Sequence, residues 1–253
     1  MSTTFPRGFR GAGINAGLKN RKKDCGILLA ERAVIAAAVL TVNRCRAPNI
    51  DRIQRIIQSR GPVRAVLAIS GNANALNGPK GQEDDEALAG ALAQELGIEP
   101  KEVLTLYTGV IGRPLPLDTV VSALPRALAG LEQTPQDLAE SIMTTDRVAK
   151  IAAREVFIGG APVRIVGVVK GAGMIAPSLA TMLGLITTDA ALSSDALERS
   201  LKDATADSFN MLTVDDDMST NDAVVLLASG DASNPKSSSA PTSTTLGSRR
   251  SAI

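Results

Sequence analysis

The hydrophobic pattern of the chain contains two kinds of stretch. In the first kind, short runs of apolar residues stand between turn residues, as buried strands do. The predicted strands cover residues 26–31, 33–42, 63–69, 103–107, 155–158, 163–169, 182–187, 209–214 and 223–228. For residues 26–31 and 33–42, periodicity alone does not separate a buried strand from a buried helix. Their length is that of strands, so we interpret both as strands.

In the second kind, apolar residues recur every three or four positions, as on one face of an amphipathic helix. The predicted helices cover residues 52–59, 83–96, 118–131, 135–143 and 195–207. Gly97 is placed to end the second helix, and Pro125 to bend or split the third. Thr134 and Ser194 are placed to cap the last two.

Polar stretches rich in turn residues complete the pattern. Residues 7–22 are rich in glycine and basic residues and predict an extended loop before the first strand. Gly159 and Gly160 stand between two strands and predict a hairpin. After Gly230 the sequence is mainly Ser, Thr, Pro and Ala, so residues 231–253 are predicted to be disordered. Because the strands come in pairs, we predict an α+β fold, a layered α/β sandwich rather than a doubly wound sheet.

Composition narrows the possible functional classes. A net charge of +1 and 2% aromatic residues do not favour a nucleic-acid partner, which needs basic grooves and stacking platforms. The longest apolar run, residues 33–42, is too short to cross a bilayer, and we see no secretory leader. We therefore expect a cytoplasmic protein with no membrane partner. Cys25 and Cys45 are too few for a disulfide framework or a thiolate metal site.

The chain contains no histidine. This absence excludes Ser-His-Asp and Cys-His catalytic arrangements and all imidazole metal ligands, and we expect neither a metal nor a cofactor. If the protein is an enzyme, its base must be a carboxylate, a lysine or an amino terminus.

Residues 170–189 combine Lys170, a glycine turn, Pro177 and a lone threonine, Thr181, in an apolar run. On base rates such a threonine is a buried strand residue. As a nucleophile it would need a base, and its own α-amino group, with a pKa of about 7.7–8.0, is the simplest one. The chain would then break between Ala180 and Thr181, a cut that the hydroxyl itself could make. Lys170 would supply positive charge near an anion; its ordinary role is that of a solvated lysine.

Two other motifs have both a functional and an ordinary interpretation. Gly171-Ala-Gly-Met-Ile-Ala176 fits the fingerprint of a dinucleotide-binding oxidoreductase, but too few residues follow it for the helical crossover that this fold needs. We keep it as the weaker alternative. Thr108 and Gly109 could point a hydroxyl and a backbone N–H at one carbonyl oxygen, as in an oxyanion hole, although an ordinary turn is commoner. The acidic residues 215–222 lack the spacing of a calcium loop and predict a solvated turn.

Together these motifs resemble the bifunctional ornithine acetyltransferase / glutamate N-acetyltransferase family of arginine biosynthesis. The resemblance covers residues 7–230, and residues 170–189 are its most specific part. The other matching motifs are Gly8-Phe-Arg10, Thr41-Val-Asn-Arg44, Ser70-Gly-Asn-Ala-Asn74, Thr108-Gly-Val-Ile-Gly112-Arg-Pro-Leu-Pro116, Ile142-Met-Thr-Thr-Asp146, Ser208-Phe-Asn210 and residues 215–222.

The resemblance implies a precursor that cleaves itself between Ala180 and Thr181. The products would be an α chain, residues 1–180, and a β chain that begins at Thr181, in an α2β2 heterotetramer with the layered sandwich fold of self-cleaving ornithine acetyltransferases. Thr181 would take acetyl from N-acetylornithine and pass it to glutamate by a ping-pong route. Bifunctional members of the family can also use acetyl-CoA.

The resemblance also implies roles for single residues and exposes a missing part. The implied oxyanion positions are Thr108 and Gly109, and the implied substrate contacts are Thr144, Lys170 and Thr181. Only residues 181–230 match the start of the family's longer β chain, and residues 231–253 offer no counterpart to its downstream substrate contacts. We therefore expect an incomplete second half of the fold and weak transferase activity or none. An inactive remnant that only oligomerises is the remaining alternative.

Overall fold

A computed structural model describes residues 3–174, 182–215 and 217–236. The strands are β1 (Phe9–Ile14), β2 (Cys25–Leu40), β3 (Val63–Asn72), β4 (Val103–Val110), β5 (Lys150–Ile158), β6 (Ala161–Lys170), β7 (Leu183–Thr188) and β8 (Ala223–Ala228). The helices are α1 (Pro48–Gln58), α2 (Gly78–Leu96), α3 (Leu117–Ala129), α4 (Gln136–Ser141) and α5 (Ser194–Ala206). Short 3₁₀ helices cover Pro100–Glu102 and Phe209–Met211. Within the described residues no helix is long and apolar enough to cross a membrane.

These strands form one sheet in the order β4-β3-β2-β8-β7-β6-β5, and β1 pairs with β2. Neighbouring strands are antiparallel except for the pairs β3–β4 and β7–β8, which are parallel. A mixed sheet with helices packed on it confirms the predicted layered α+β arrangement.

Strand β2 joins the two halves of this sheet. Its first half pairs with β1 and β3, and its second half, from Ile35, pairs with β8. The register shifts between Leu29 and Val34, where the charged residues Glu31 and Arg32 are exposed. The two strands predicted over residues 26–31 and 33–42 are therefore one strand of 16 residues with an irregularity between them.

The core follows the alternation of side chains along these strands. The largest apolar cluster takes residues from both halves of the sheet and from α1 and α4, with Leu28, Val168 and Leu227 among its members. The opposite face of β2, β3 and β4 packs against α2 and α3. The corresponding face of β2 and β8 packs against α5.

The helix ends show which of the predicted capping and helix-ending residues have that role in the structure. Helix α2 ends at Gly97, which adopts the left-handed conformation (φ +64°) as predicted. Helix α5 is capped by Ser193, one residue before the predicted Ser194, and its hydroxyl accepts a hydrogen bond from the Ala196 N–H at 3.2 Å. Helix α4 has no side-chain cap, so Thr134 does not serve as one. Pro125 lies on the exposed side of α3 and does not split it.

Three segments differ from the sequence predictions. The predicted loop over residues 7–22 contains β1, because a strand whose partner is distant in sequence leaves little local signal. The strand predicted over residues 209–214 is replaced by the 3₁₀ helix Phe209–Met211. The predicted disorder does not hold for residues 231–236, since Ala232 N–H donates to Asp189 O at 2.7 Å and Asn234 is buried against Ala191. Residues 237–253 lie outside the described part of the chain.

Candidate active site

The parallel strands β3 and β4 approach each other closely at two glycines near their ends. Gly71 and Gly109 are register partners with φ values of +101° and +131°. A Cβ on Gly109 would lie 2.4 Å from the Gly71 carbonyl carbon, far inside van der Waals contact. Only glycine therefore fits at position 109, and the backbone next to Thr108 is fixed by this close approach.

Lys170 and Thr108 are in contact next to these glycines although they are 62 residues apart in the sequence. Lys170 is the last residue of β6 and is 3% exposed, and its Nζ donates a hydrogen bond to Thr108 Oγ1 at 2.9 Å. Burial lowers the pKa of Lys170, and the nearby carboxylates of Asp146 and Asp222 offset that effect only in part. The alternative of a solvated lysine is wrong, because this ammonium is buried and bonded to a site residue.

Asp146 connects the Thr144 segment to the turn after Lys170. Its carboxylate accepts hydrogen bonds from the Gly171 N–H at 2.9 Å, the Thr144 N–H at 3.2 Å and the Lys150 ammonium. Burial acts to raise the pKa of Asp146, but the bonds from Lys150, Gly171 and Thr144 outweigh it, and the pKa is lowered from 3.8. Thr144, predicted as a substrate contact, is half-buried in this segment.

We expect Asp146→Asn to lower the free energy of unfolding at pH 7 by about 2 kcal/mol, because three donors lose a charged acceptor. Since the folded carboxyl has a lowered pKa, its stabilisation is present above 3.8 and is lost as the pH falls through the folded value. The difference between variant and wild type should therefore shrink in acid. Urea denaturation at pH 7 and below pH 3.8 measures it, with the exposed Asp203→Asn as control. A difference that persists in acid would contradict this assignment.

Residues 219–222 are buried, so the prediction of a solvated turn was wrong for them, whereas Asp215 and Asp217 are exposed as predicted. Asp222 Oδ1 accepts the Met182 N–H at 2.8 Å, and Asp215 Oδ2 accepts the Met174 N–H at 2.6 Å. Two aspartates of one loop thus hold the chain on both sides of residues 175–181. Both are charge-assisted hydrogen bonds, the stronger kind in proteins.

The second half of the same loop is anchored in the protein interior. Asn221 Nδ2 donates to Ala73 O at 2.7 Å, and Thr41 Oγ1 donates to Ser219 O at 2.9 Å. These contacts bring together three motifs singled out in the sequence: Thr41 to Arg44, Ser70 to Asn74, and residues 215–222. The run of acidic and amide residues was the only sequence signal for this arrangement, and composition alone cannot separate it from a surface turn.

Two asparagines at or just after the end of β3, Asn72 and Asn74, hold neighbouring backbone segments in place. Asn72 Nδ2 donates to Pro114 O at 3.0 Å, and Asn74 Nδ2 donates to Gly81 O at 2.8 Å. Their side chains are thereby committed to backbone carbonyls. In this structure Asn72 holds the loop after β4, and Asn74 holds the first turn of α2.

The predicted nucleophile Thr181 and the predicted cleavage position Ala180–Thr181 lie outside the described residues. The described neighbours of that stretch are Met174 on one side and Met182 on the other. Of the other predicted site residues, Thr108, Gly109 and Lys170 are brought together directly. Thr144 is joined to them through Asp146.

The predicted dinucleotide fingerprint over residues 171–176 does not occupy the fold that such a site needs. Residues 175 and 176 lie outside the described part of the chain, but the strands on either side are described. Strands β6 and β7 are antiparallel neighbours, whereas the fingerprint joins two parallel strands through a helix. The oxidoreductase alternative is therefore not supported.

No cluster of His, Cys, Asp and Glu suited to a metal ion occurs in the part of the chain that the structure describes. A cleft of about 680 Å³ lies between α1 and α2 and is lined by residues such as Arg46, Gln54 and Gln82. It contains none of the predicted site residues.

Comparison with known proteins identifies close relatives of this chain. Residues 10–248 match the model of the ArgJ family. The arginine biosynthesis bifunctional protein ArgJ of Symbiobacterium thermophilum is 46% identical over 92% of this chain and 59% of its own length. ArgJ 1 of Nostoc sp. is 42% identical over 92% of this chain and 57% of its own length. The chain thus spans less than two thirds of the curated relatives that it matches.

Solved structures agree with this result. The ArgJ crystal structure from Bacillus halodurans has a TM-score of 0.67 and 32% identity, covering 72% of this chain and 94% of its own. The ornithine acetyltransferase of Mycobacterium tuberculosis, solved with ornithine, has a TM-score of 0.62 and 33% identity, over 71% of this chain and 96% of its own. An aminopeptidase of Ochrobactrum anthropi with a variant Ntn hydrolase fold has a TM-score of 0.56 at 11% identity, a likeness of fold alone. These neighbours confirm the predicted fold type.

Proposed function

Because this chain belongs to the ArgJ family, we propose that it is an acetyltransferase of arginine biosynthesis that moves acetyl from N-acetylornithine to glutamate through Thr181. The observation that carries the proposal is the buried contact between Lys170 and Thr108. A structural lysine has no reason to be buried against a threonine hydroxyl at the end of two strands, since burial of an ammonium is costly. An anionic reaction intermediate at this position would explain why the lysine is buried there.

The hydrogen bond from Lys170 makes the Thr108 oxygen an acceptor and leaves its O–H as a donor. A hydroxyl has one O–H donor and two acceptor lone pairs, and Lys170 already occupies one lone pair. The O–H of Thr108 is then free to donate to an oxyanion, while Lys170 supplies positive charge behind it. A backbone N–H at Gly109 would be the second donor of the oxyanion hole.

The proposed reaction has two halves. In the first, the α-amine of Thr181 removes the hydroxyl proton, Oγ1 attacks the acetyl carbonyl, and a tetrahedral oxyanion forms. The C–N bond breaks, the proton moves to the leaving amine, and ornithine departs from an acetyl-threonine ester. In the second half the neutral amine of glutamate attacks this ester and the ester C–O bond breaks. The amine proton passes through the α-amine of Thr181 to Oγ1, which restores the free hydroxyl. No metal or redox cofactor enters either half, and acetyl-CoA would replace N-acetylornithine as donor in a bifunctional enzyme.

The α-amine of Thr181 exists only after cleavage, so we propose that the chain cuts itself between Ala180 and Thr181. The hydrogen bonds from Asp215 to Met174 and from Asp222 to Met182 support this, since they hold both sides of the scissile stretch. A second support is length. The solved Bacillus halodurans chain is almost wholly covered by 72% of this chain, close to the share that precedes Thr181. The products would assemble as an α2β2 heterotetramer in the cytoplasm.

A single experiment tests the transferase. Because the chain spans less than 60% of the curated relatives, turnover is expected to be weak or absent, and the covalent intermediate is the better readout. The purified protein is incubated with N-acetylornithine, and the fragments are measured by mass spectrometry. We expect one acetyl group on the fragment that begins at Thr181, removed by added glutamate. A cleaved protein that takes up no acetyl, or takes it up elsewhere, would overturn the proposal.

We expect Lys170→Met to slow both the cleavage and the acetylation of Thr181 by about 10²-fold, the usual effect of removing one oxyanion stabiliser. The melting temperature should not fall, because the lysine's lowered pKa shows that its buried charge is held at a cost. Gel analysis and differential scanning calorimetry measure the two effects. The exposed Lys202→Met serves as control. Equal losses of activity and stability would mean that Lys170 is structural.

A further inference from the structure

We propose that Lys19 is a second cation of this site and binds the carboxylate of the amino-acid substrate beside Lys170. This inference rests on the proposed function and adds to it the group that recognises the substrate. Neither the motifs nor the resemblance assigned any role to Lys19, which lies in the loop between β1 and β2.

The first observation is that the backbone of this loop is fixed. The buried carboxylate of Asp24 accepts hydrogen bonds from the N–H groups of Ala16 at 2.6 Å, Leu18 at 2.8 Å and Lys19 at 2.8 Å. A loop of basic residues in solvent needs no such anchor. The sequence around Lys19 is therefore held in one conformation, and its side chain leaves the backbone in a defined direction.

The second observation is where that side chain goes. The Cγ of Lys19 lies against Gly71, at 3.3 Å from the position that a Cβ would take there. Gly71 in β3 is the register partner of Gly109 in β4, the residue after Thr108. The Lys19 Nζ then donates to Met143 O at 2.9 Å, the carbonyl of the residue before Thr144. Lys19 thus contacts the segment that carries Thr144 and the glycine that packs against Gly109.

The third observation is that, among the described residues, Lys19 does not use all of its donors. An ammonium has three N–H donors, and within the described residues one hydrogen bond to Nζ is recorded. The carboxylates that act on its charge are occupied elsewhere. Asp24 accepts from three backbone N–H groups, and Asp146 from Gly171, Thr144 and Lys150.

The local charge also favours an anion. Burial lowers the pKa of Lys19; Asp24 and Asp146 act in the opposite direction, whereas Lys22 and Lys170 lower it further. The effect of Lys170 on this pKa indicates that the two ammonium groups are near enough to repel each other. A carboxylate between them would relieve this repulsion and take up the free donors. The two amino-acid substrates of the proposed reaction, N-acetylornithine and glutamate, carry a carboxylate next to the carbon that bears the nitrogen which holds or receives the acetyl group.

The test compares two ligands that differ in that one group. N-acetylornithine has the carboxylate, and N-acetylputrescine is the same molecule without it. We expect Lys19→Met to weaken binding of N-acetylornithine by about tenfold or more, the usual effect of losing a charged hydrogen bond, and to leave binding of N-acetylputrescine unchanged. Lys19→Arg should recover most of the loss. Lys22→Met, in the same loop and exposed, should change neither. Isothermal titration calorimetry measures the affinity of the wild type and of the three variants for both ligands.

An equal effect on both ligands, or an effect of Lys22→Met as large as that of Lys19→Met, would overturn the proposal. A second measurement does not depend on the transferase. Acetate, as the simplest carboxylate, should slow the reductive methylation of Lys19 in the wild-type protein but not that of Lys22. Protection by acetate without any binding of N-acetylornithine would keep the carboxylate site and reject the proposed substrate. If acetate gives no protection, Lys19 is not a carboxylate-binding residue.

Discussion

Thr181→Ala is expected to leave the protein as one uncut chain of 26.2 kDa, whereas the wild type separates into two. The alanine variant lacks the hydroxyl that would attack the Ala180 carbonyl, and the chain has no histidine that could activate another hydroxyl or thiol in its place. The loss should be complete rather than partial. Denaturing gels and mass spectrometry of the intact protein measure it. N-terminal sequencing of the wild type should give a second sequence that begins Thr-Met-Leu-Gly.

Two controls separate the chemistry from folding. Thr181→Ser keeps a hydroxyl and should still cleave. Thr187→Ala removes a buried threonine of β7, whose Oγ1 donates to Val166 O at 3.2 Å, and should cleave as the wild type does. A wild-type chain that stays uncut, like Thr181→Ala, would instead favour the inactive remnant. A cut that persists in Thr181→Ala would show that another residue or a protease makes it.

Local sequence signals were enough for most of the elements and for the predicted fold class. The isoleucines of α1, the glycine that ends α2 and the glycine pair between β5 and β6 act over a few residues, and the structure confirms them. Strand β1 was missed, because its strand character comes from pairing with β2 rather than from its own glycine-rich sequence. The irregularity in the middle of β2 likewise depends on its change of partner from β3 to β8.

The candidate site was only partly predictable, for a related reason. Each of Thr108, Gly109 and Lys170 stood out in the sequence. The contact between Lys170 and Thr108, however, depends on the fold of the whole sheet, because four other strands lie between β4 and β6. The anchoring of residues 215–222 needed the folded position of Asn221 against Ala73. Lys19 had no sequence signal at all, because its role follows from a loop fixed by a carboxylate five residues later.

Gly109→Ala is the second change with a large expected effect, this time on stability. The new Cβ would lie 2.4 Å from the Gly71 carbonyl carbon and 2.7 Å from the Asn72 nitrogen, and both are backbone atoms that cannot turn aside. The φ of +131° is also outside the range that alanine tolerates. We expect a loss of about 4 kcal/mol or more in the free energy of unfolding, a large part of the total for a typical domain. Urea denaturation measures it.

Gly112→Ala is the matched control, three residues further along the chain in the loop after β4. Its φ of +74° is also left-handed, but a Cβ there meets nothing within 4 Å. It should therefore cost only the conformational strain, about 1 kcal/mol. The difference between the two variants isolates the close approach of Gly71 and Gly109 from the cost of a positive φ. Equal losses would mean that β3 and β4 do not approach closely at these glycines. The backbone conformation that places Thr108 against Lys170 would then be wrong.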